Sequence, residues 1–240
     1  IIEFSTTNAI SSNSTLILGD STGFNSGLYS SDANNIDVNQ AESIVIPHSS
    51  LGSINNEVTV SFWVYGDENT LPYNSTIMEG LDANGTRNLN IHFPWSNSRV
   101  YWDAGNNGTG SYDRVDQGAN LSDFAGKWNH WAFTKDVSSG NLMAFLNGEL
   151  FMSASSKTKL MSGIAKFRIG GTAAANFNGV YDGKIDEFRV WNKALDSITI
   201  KSWMNKSVDS NHPYYNNLQA AYSFDEDNGV VAHDYSVNAR

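Results

Sequence analysis

The sequence predicts an all-β, antiparallel two-sheet sandwich with one short helix near the C-terminus, built as a single domain over 1–240. Three observations carry this. Val58-Thr59-Val60-Ser61-Phe62-Trp63-Val64-Tyr65 alternates without a break, so Val58, Val60, Phe62 and Val64 share one face and Thr59, Ser61, Trp63 and Tyr65 the other. Similar short runs recur between clusters of Gly, Asn, Asp and Pro, the spacing of a sheet protein. One segment, Ser197 to Asn205, has helical periodicity.

Taken in order, the strands after Val58 to Tyr65 are predicted at Asn88 to Phe93, Arg99 to Asp103, Trp128 to Lys135, Leu142 to Leu146, Glu149 to Ser153, Lys166 to Gly170 and Lys184 to Trp191. Asn147-Gly148 separates two apolar stretches, and this dipeptide supplies the two positive φ angles of a type I′ hairpin turn. Asp196 is placed to cap the helix, with Ile200, Trp203 and Met204 on one face, and the helix is expected to pack on an edge of the sandwich. Ser210 to Asn217 is a polar loop, and Leu218 to Phe224 returns as an edge strand.

Composition narrows the function classes. With 7 Trp, 10 Tyr and 12 Phe and only 17% charged residues, the chain is too aromatic and too weakly charged for a disordered one. A formal charge of -10 disfavours nucleic acid and anionic membrane, because phosphate binding needs clustered Lys and Arg. No apolar run approaches the roughly 18 residues of a membrane helix, so no membrane insertion is expected. The absence of Cys fits a large bacterial extracellular domain that relies on its core. The opening Ile1-Ile2-Glu3-Phe4 is neither a Met start nor a signal peptide, which predicts a mature or excised piece of a larger secreted protein.

Several ordered motifs carry a resemblance. Val58 to Val64, Trp128-Asn129-His130-Trp131-Ala132-Phe133-Thr134, Leu146-Asn147-Gly148, Phe167-Arg168-Ile169-Gly170 and the run from Gly183 through Asp186-Glu187-Phe188-Arg189-Val190-Trp191 to Leu195 resemble, in sequence order, the laminin G-like and pentraxin-like branch of the concanavalin A-like superfamily. The resemblance covers about residues 40 to 205. It implies a jelly roll, a non-catalytic recognition or adhesion role in secreted or cell-surface proteins, and calcium at a loop rim. A fold by itself assigns no ligand.

Calcium takes about six to eight oxygens, usually from carboxylates on Gly-containing loops. The expected metal ligands are Asp186, Asp182, Asp234 and Asp20. By alternation Asp186 shares its side with Phe188 and Val190, so a buried carboxylate there must meet either a cation or backbone N–H groups. Glycan recognition pairs aromatic rings with amides and charged groups. The segment His92 to Asp103 has that composition, and its expected ligand residues are His92, Trp95, Asn97, Arg99, Tyr101 and Asp103. Alternation also allows Trp63, Tyr65, Asn90, His92, Tyr101, Asp103, His130, Glu187 and Arg189 to line one groove. The expected partner is a glycan or cell-surface polymer, with a protein partner or a spacer role as the alternative.

Two enzymes are to be weighed on the same fold. A retaining glycoside hydrolase needs two carboxylates about 5 to 5.5 Å apart, whereas Asp186 and Glu187 are adjacent and point to opposite faces. A polysaccharide lyase of the alginate type uses a His and a Tyr, and Asn90-Ile91-His92 with Tyr101-Trp102-Asp103-Ala104-Gly105 resembles its two central motifs. It also needs cations to neutralise a uronate, for which Arg99 and Arg189 are the plausible groups in the sequence.

Overall fold

A computed structural model of the chain describes residues 2–4, 16–17, 44–46, 51–173, 179–225 and 232–236. In chain order the strands are β1 (Ile2–Phe4), β2 (Leu16–Ile17), β3 (Ile44–Ile46), β4 (Glu57–Gly66), β5 (Thr76–Asp82), β6 (Arg87–His92), β7 (Arg99–Ala104), β8 (Asp113–Gly118), β9 (Asn129–Asp136), β10 (Asn141–Leu146), β11 (Glu149–Ala154), β12 (Ile164–Ile169), β13 (Gly183–Trp191) and β14 (Leu218–Tyr222). The helices are α1 (Leu121–Phe124) and α2 (Ser197–Trp203).

The described strands form a two-sheet jelly-roll sandwich. One sheet runs β11-β10-β9-β4-β13-β1-β2 with β14 also on β13, and the other runs β3-β12-β5-β6-β7-β8. Pairing is antiparallel except between β1 and β2. Alternation fills the space between the sheets as expected: Val58, Val60, Phe62 and Val64 of β4 are fully buried. Phe62 stacks on Phe133 and Phe188, each 5.8 Å away, and meets Phe93 of the facing sheet edge-on at 6.1 Å. One charge enters this core. Lys135 Nζ donates to the Ala104 carbonyl and to Asp113 Oδ2 at 2.7 and 2.8 Å, joining the two sheets. Burial lowers its pKa, and the Asp113 partner opposes that shift.

The Asn147-Gly148 turn has φ of 52° and 82°, the left-handed pair that a type I′ hairpin demands. Asp196 caps α2 by accepting the Thr199 N–H at 2.7 Å. The place of α2 differs from the expectation. It lies on the outer face of the eight-stranded sheet, where Ile200 and Leu195 join Ala132, Phe145, Trp191, Leu218 and Ala221 in a second apolar cluster. Carbonyls at its C-terminal end are met by outward side chains of that sheet: Trp63 Nε1 donates to Met204 O, and Arg189 donates to Trp203 O and Lys206 O.

Among the register shifts in the two sheets, two decide which way a candidate site residue turns. In β6, Arg87 pairs with Leu81 but Leu89 pairs with Gly80, so Asn88 is the extra residue. In β13 the register slips between Asp186 and Arg189, where Glu187 sits at φ 51°.

Candidate functional site

The six-stranded sheet turns an unusual outer face away from the core. Across it, register aligns Arg168, Glu79, Asn90, Asp103 and Arg114 in one row and Thr76, His92, Tyr101 and Asp116 in the next. Charged side chains in such a row are cross-strand neighbours, close enough to pair. Arg87 joins them because the bulge at Asn88 turns it outward; unbroken alternation would put it with Leu89, Ile91 and Phe93 in the core.

Asp103 is the hub. Arg114 binds it in a fork, Nε to Oδ1 at 2.5 Å and Nη2 to Oδ2 at 2.7 Å, and Arg87 Nη1 reaches the same Oδ2 at 3.0 Å. Arg87 Nε also donates to Glu79 Oε1 at 3.0 Å. Glu79 further accepts from Asn90 Nδ2 and from the Ala173 N–H. Hydrogen bonding to Asp103 raises the Arg114 pKa above the ordinary guanidinium value.

Aromatic rings lie over these charges. The Arg114 guanidinium stands over Tyr101 at 4.9 Å and over Tyr112 at 5.0 Å, and Arg87 stands over Tyr112 at 5.3 Å. Trp95 sits in a tight turn closed by Ser98 N–H to Trp95 O, and its ring lies 4.3 Å from that of His92. His92 has both nitrogens committed. Arg87 Nη1 can only donate, so His92 Nε2 accepts at 3.2 Å and Nδ1–H faces Thr76 Oγ1 at 3.0 Å. Burial first, then the charges of Arg87 and Arg114, lower the His92 pKa to about 3.

The six expected ligand residues are thus brought to one place, but not in one role. Trp95, Asn97, Arg99 and Tyr101 lie at the rim: Asn97 Nδ2 donates to the Tyr101 hydroxyl at 2.8 Å, and Arg99 pairs with Asp116. Asp103 is fully buried and His92 nearly so, which corrects their expected role as direct contacts; they hold the arginines from beneath. Glu79, Arg87, Tyr112 and Arg114 belong to the face and were not singled out in the sequence. Arg87 was hidden by the bulge, and Arg114 by β8, a polar edge strand without a strong alternation.

The single groove allowed by alternation is not formed. Asn90, His92, Tyr101 and Asp103 are on the outer face of one sheet, whereas Trp63, Tyr65, His130 and Arg189 belong to the other sheet. The cavity under α2, lined by His130, Arg189, Trp191, Trp203 and His212 among others, holds about 10 Å³. That is room for about one water and not for a sugar ring.

The four expected metal ligands are dispersed. The β13 bulge sets Asp186 opposite Trp63, an outward position, rather than alongside Phe188 and Val190. Its Oδ1 accepts the Glu187 N–H at 3.0 Å, and burial above all, with Glu187 and Asp225 adding to it, raises its pKa. Asp182 is buried before β13. Asp234 accepts the N–H groups of Ala221 and Ser236 and so caps the end of β14. Asp20 lies outside the described residues. Among the described residues no three His, Cys, Asp or Glu side chains come together in a way that could hold a metal ion.

No curated protein matches the chain. Among solved structures, a candidate carbohydrate-binding protein from Bacteroides ovatus is 20% identical with a TM-score of 0.55, over 77% of this chain and 50% of that one. The binding domain of botulinum neurotoxin DC in complex with rat synaptotagmin II is 17% identical with a TM-score of 0.53, over 69% and 40%. The native heptameric SAP-like pentraxin from Limulus polyphemus is 17% identical with a TM-score of 0.51, over 77% and 85%. The chain thus spans half or less of the first two. At such identities the likeness is one of fold. The family model described as the concanavalin A-like lectin/glucanases superfamily matches residues 37–201, more than half of the chain, and with the two-sheet jelly roll this makes the protein a member of the laminin G-like family of that superfamily.

Proposed function

We propose that the protein is a non-catalytic, extracellular binding module that recognises a glycan on the outer face of its six-stranded sheet. The observation that carries this reading is the set of half-exposed rings, Tyr101 and Tyr112 held by arginines whose own bonds are anchored on buried carboxylates, and Trp95 held against His92. Rigid aromatic surfaces beside fixed polar donors are the usual means of covering a sugar ring while bonding its hydroxyls. The Bacteroides ovatus protein, described as a candidate for carbohydrate binding, and the neurotoxin binding domain accord with a binding role on this fold. No described helix is long and apolar enough to cross a membrane.

Catalysis is disfavoured by the same geometry. A lyase base must be free to take a proton, and His92 spends one nitrogen on Arg87 and the other on Thr76. Glu79, Asp103 and Asp116, carboxylates of this face, are each tied to arginine, and Glu187 is tied to Arg189. Calcium is left out of the proposal because the described residues do not converge on a cation.

The test is calorimetric titration of the chain against a panel of polysaccharides, followed by Trp95→Ala and Tyr101→Ala. Each substitution is expected to weaken the best ligand about tenfold, the loss of one ring contact, with no bond in the ligand broken. Release of reducing ends or of unsaturated products would overturn the non-catalytic reading. Binding to proteins with no response to any glycan would favour the protein-binding alternative.

A further inference from the structure

The arginines of this face are only partly used by the protein. Arg87 spends Nε on Glu79 and Nη1 on Asp103 and His92. Arg114 spends Nε and Nη2 on Asp103, with Nη2 also 3.3 Å from the Tyr112 hydroxyl. Arg87 Nη2 and Arg114 Nη1 are left without a partner among the described residues. The two guanidiniums are neighbours, since both donate to the one oxygen Asp103 Oδ2, and Tyr112 lies against each of them.

The charges are also layered. Asp103 and Glu79 have side chains 0% and 4% exposed, whereas Arg87 and Arg114 are 22% and 35% exposed. At this hub negative charge therefore lies below and positive charge above, and the half-exposed Asp116 of the next row is paired with Arg99, so a chain of net charge -10 turns cationic groups outward around Arg87 and Arg114. The guanidiniums are held flat by bonds on one edge and rings on their faces, which leaves little side-chain freedom to lose when the other edge is occupied. A guanidinium edge matches an ionised carboxylate in both charge and paired-donor geometry, whereas a sugar hydroxyl supplies a single neutral acceptor.

We infer that the glycan recognised here carries a carboxylate, a uronic or comparable acidic sugar, whose acid group docks on the free edges of Arg87 and Arg114 while its ring lies against Tyr101 and Tyr112. This rests on the reading of the face as a glycan platform and adds the chemical class of its ligand.

The experiment changes the ligand before the protein. The chain is titrated with oligosaccharides of polygalacturonate, alginate and hyaluronan, each beside its carboxyl-reduced, neutral counterpart, at low and at high salt. The expected result is that at least one acidic form binds ten or more times more tightly than its reduced form, with the preference shrinking as salt rises. In Arg114→Lys, which keeps the charge opposite Asp103 but loses the planar fork, the preference should fall below about threefold. Equal binding of acidic and reduced forms, or binding of neutral glycans alone, overturns the acidic class and leaves the platform standing. Failure of every glycan, acidic and neutral, overturns the platform and the acidic class together.

Discussion

Asp103 shows how one residue sets the character of a surface it never reaches. Fully buried on a sheet face, it is ionically bound to two arginines, and the desolvation of its carboxylate is offset only by those bonds. Replacing it by Asn would leave two guanidiniums over an uncharged amide. Asp103→Asn is expected to cost about 3 kcal/mol, at the lower end for breaking a buried pair because the arginines keep part of their contact with water. The measurement is the midpoint of urea unfolding. A midpoint equal to that of the parent chain would show that the arginines are held by Glu79 and the tyrosine rings without Asp103. The neutral state of His92 has the same origin, since two cations beside a desolvated ring leave no place for a third charge.

At the scale of elements, the docking of α2 combines a small apolar cluster with buried polar groups. The cluster beneath the helix is small, and its surroundings hold His130 and His212, both nearly fully buried. Burial first, then Arg189, lowers the His130 pKa to about 3. Burial, then Arg189, lowers that of His212 to about 4, against a smaller opposing effect of Asp209. Their folded values lie below the unfolded 6.5, so between those limits the unfolded chain binds more protons than the folded one. Stability is then full above about pH 6.5 and declines as the pH falls towards 4 and 3. The window from 6.5 to 5 reports the buried histidines together, His92 of the other sheet included because its pKa is also lowered to about 3, while Asp113, Asp136 and Asp196, whose pKa values are lowered from 3.8, stay ionised there. Urea midpoints measured at pH 7, 6 and 5 are expected to fall steadily. A flat series would mean that none of the three rings resists protonation in the folded chain.

At the scale of the whole molecule, two sheets enclose one core and leave two unlike outer faces, one closed by α2 and one open with its charged and aromatic rows. Calcium supplies a further prediction here. The cation takes about six to eight oxygens, and no three ligand side chains of the described residues converge. The melting temperature is expected to be the same in saturating calcium and in EDTA. A rise of several degrees with calcium would instead show a site on the native state completed by groups outside the described residues, with Asp186 as the first ligand to test. Much of this fold was legible in the sequence, since side-chain alternation is fixed by strand geometry: β4, β6, β7, β9 and β13 stood out, as did the Asn147-Gly148 turn and the Asp196 cap. Five strands did not: β1, β2 and β3 are only two or three residues long, and β5 and β8 lack alternation. β5, Thr76–Asp82, is buried throughout and so shows no alternation, and β8, Asp113–Gly118, is a polar edge. Of the candidate site, His92, Trp95, Tyr101 and Asp103 were legible because β6, the turn and β7 are contiguous in the chain. The sequence by itself determined which residues share a side of a strand. Only the tertiary structure decided which sheet each strand joined and where the bulges at Asn88 and Glu187 fell, and with them the outward turn of Arg87 and the exclusion of Asp186 from the core. The reason is physical: a bulge is stable only against a particular partner strand, and that partner is chosen by contacts far apart in the chain.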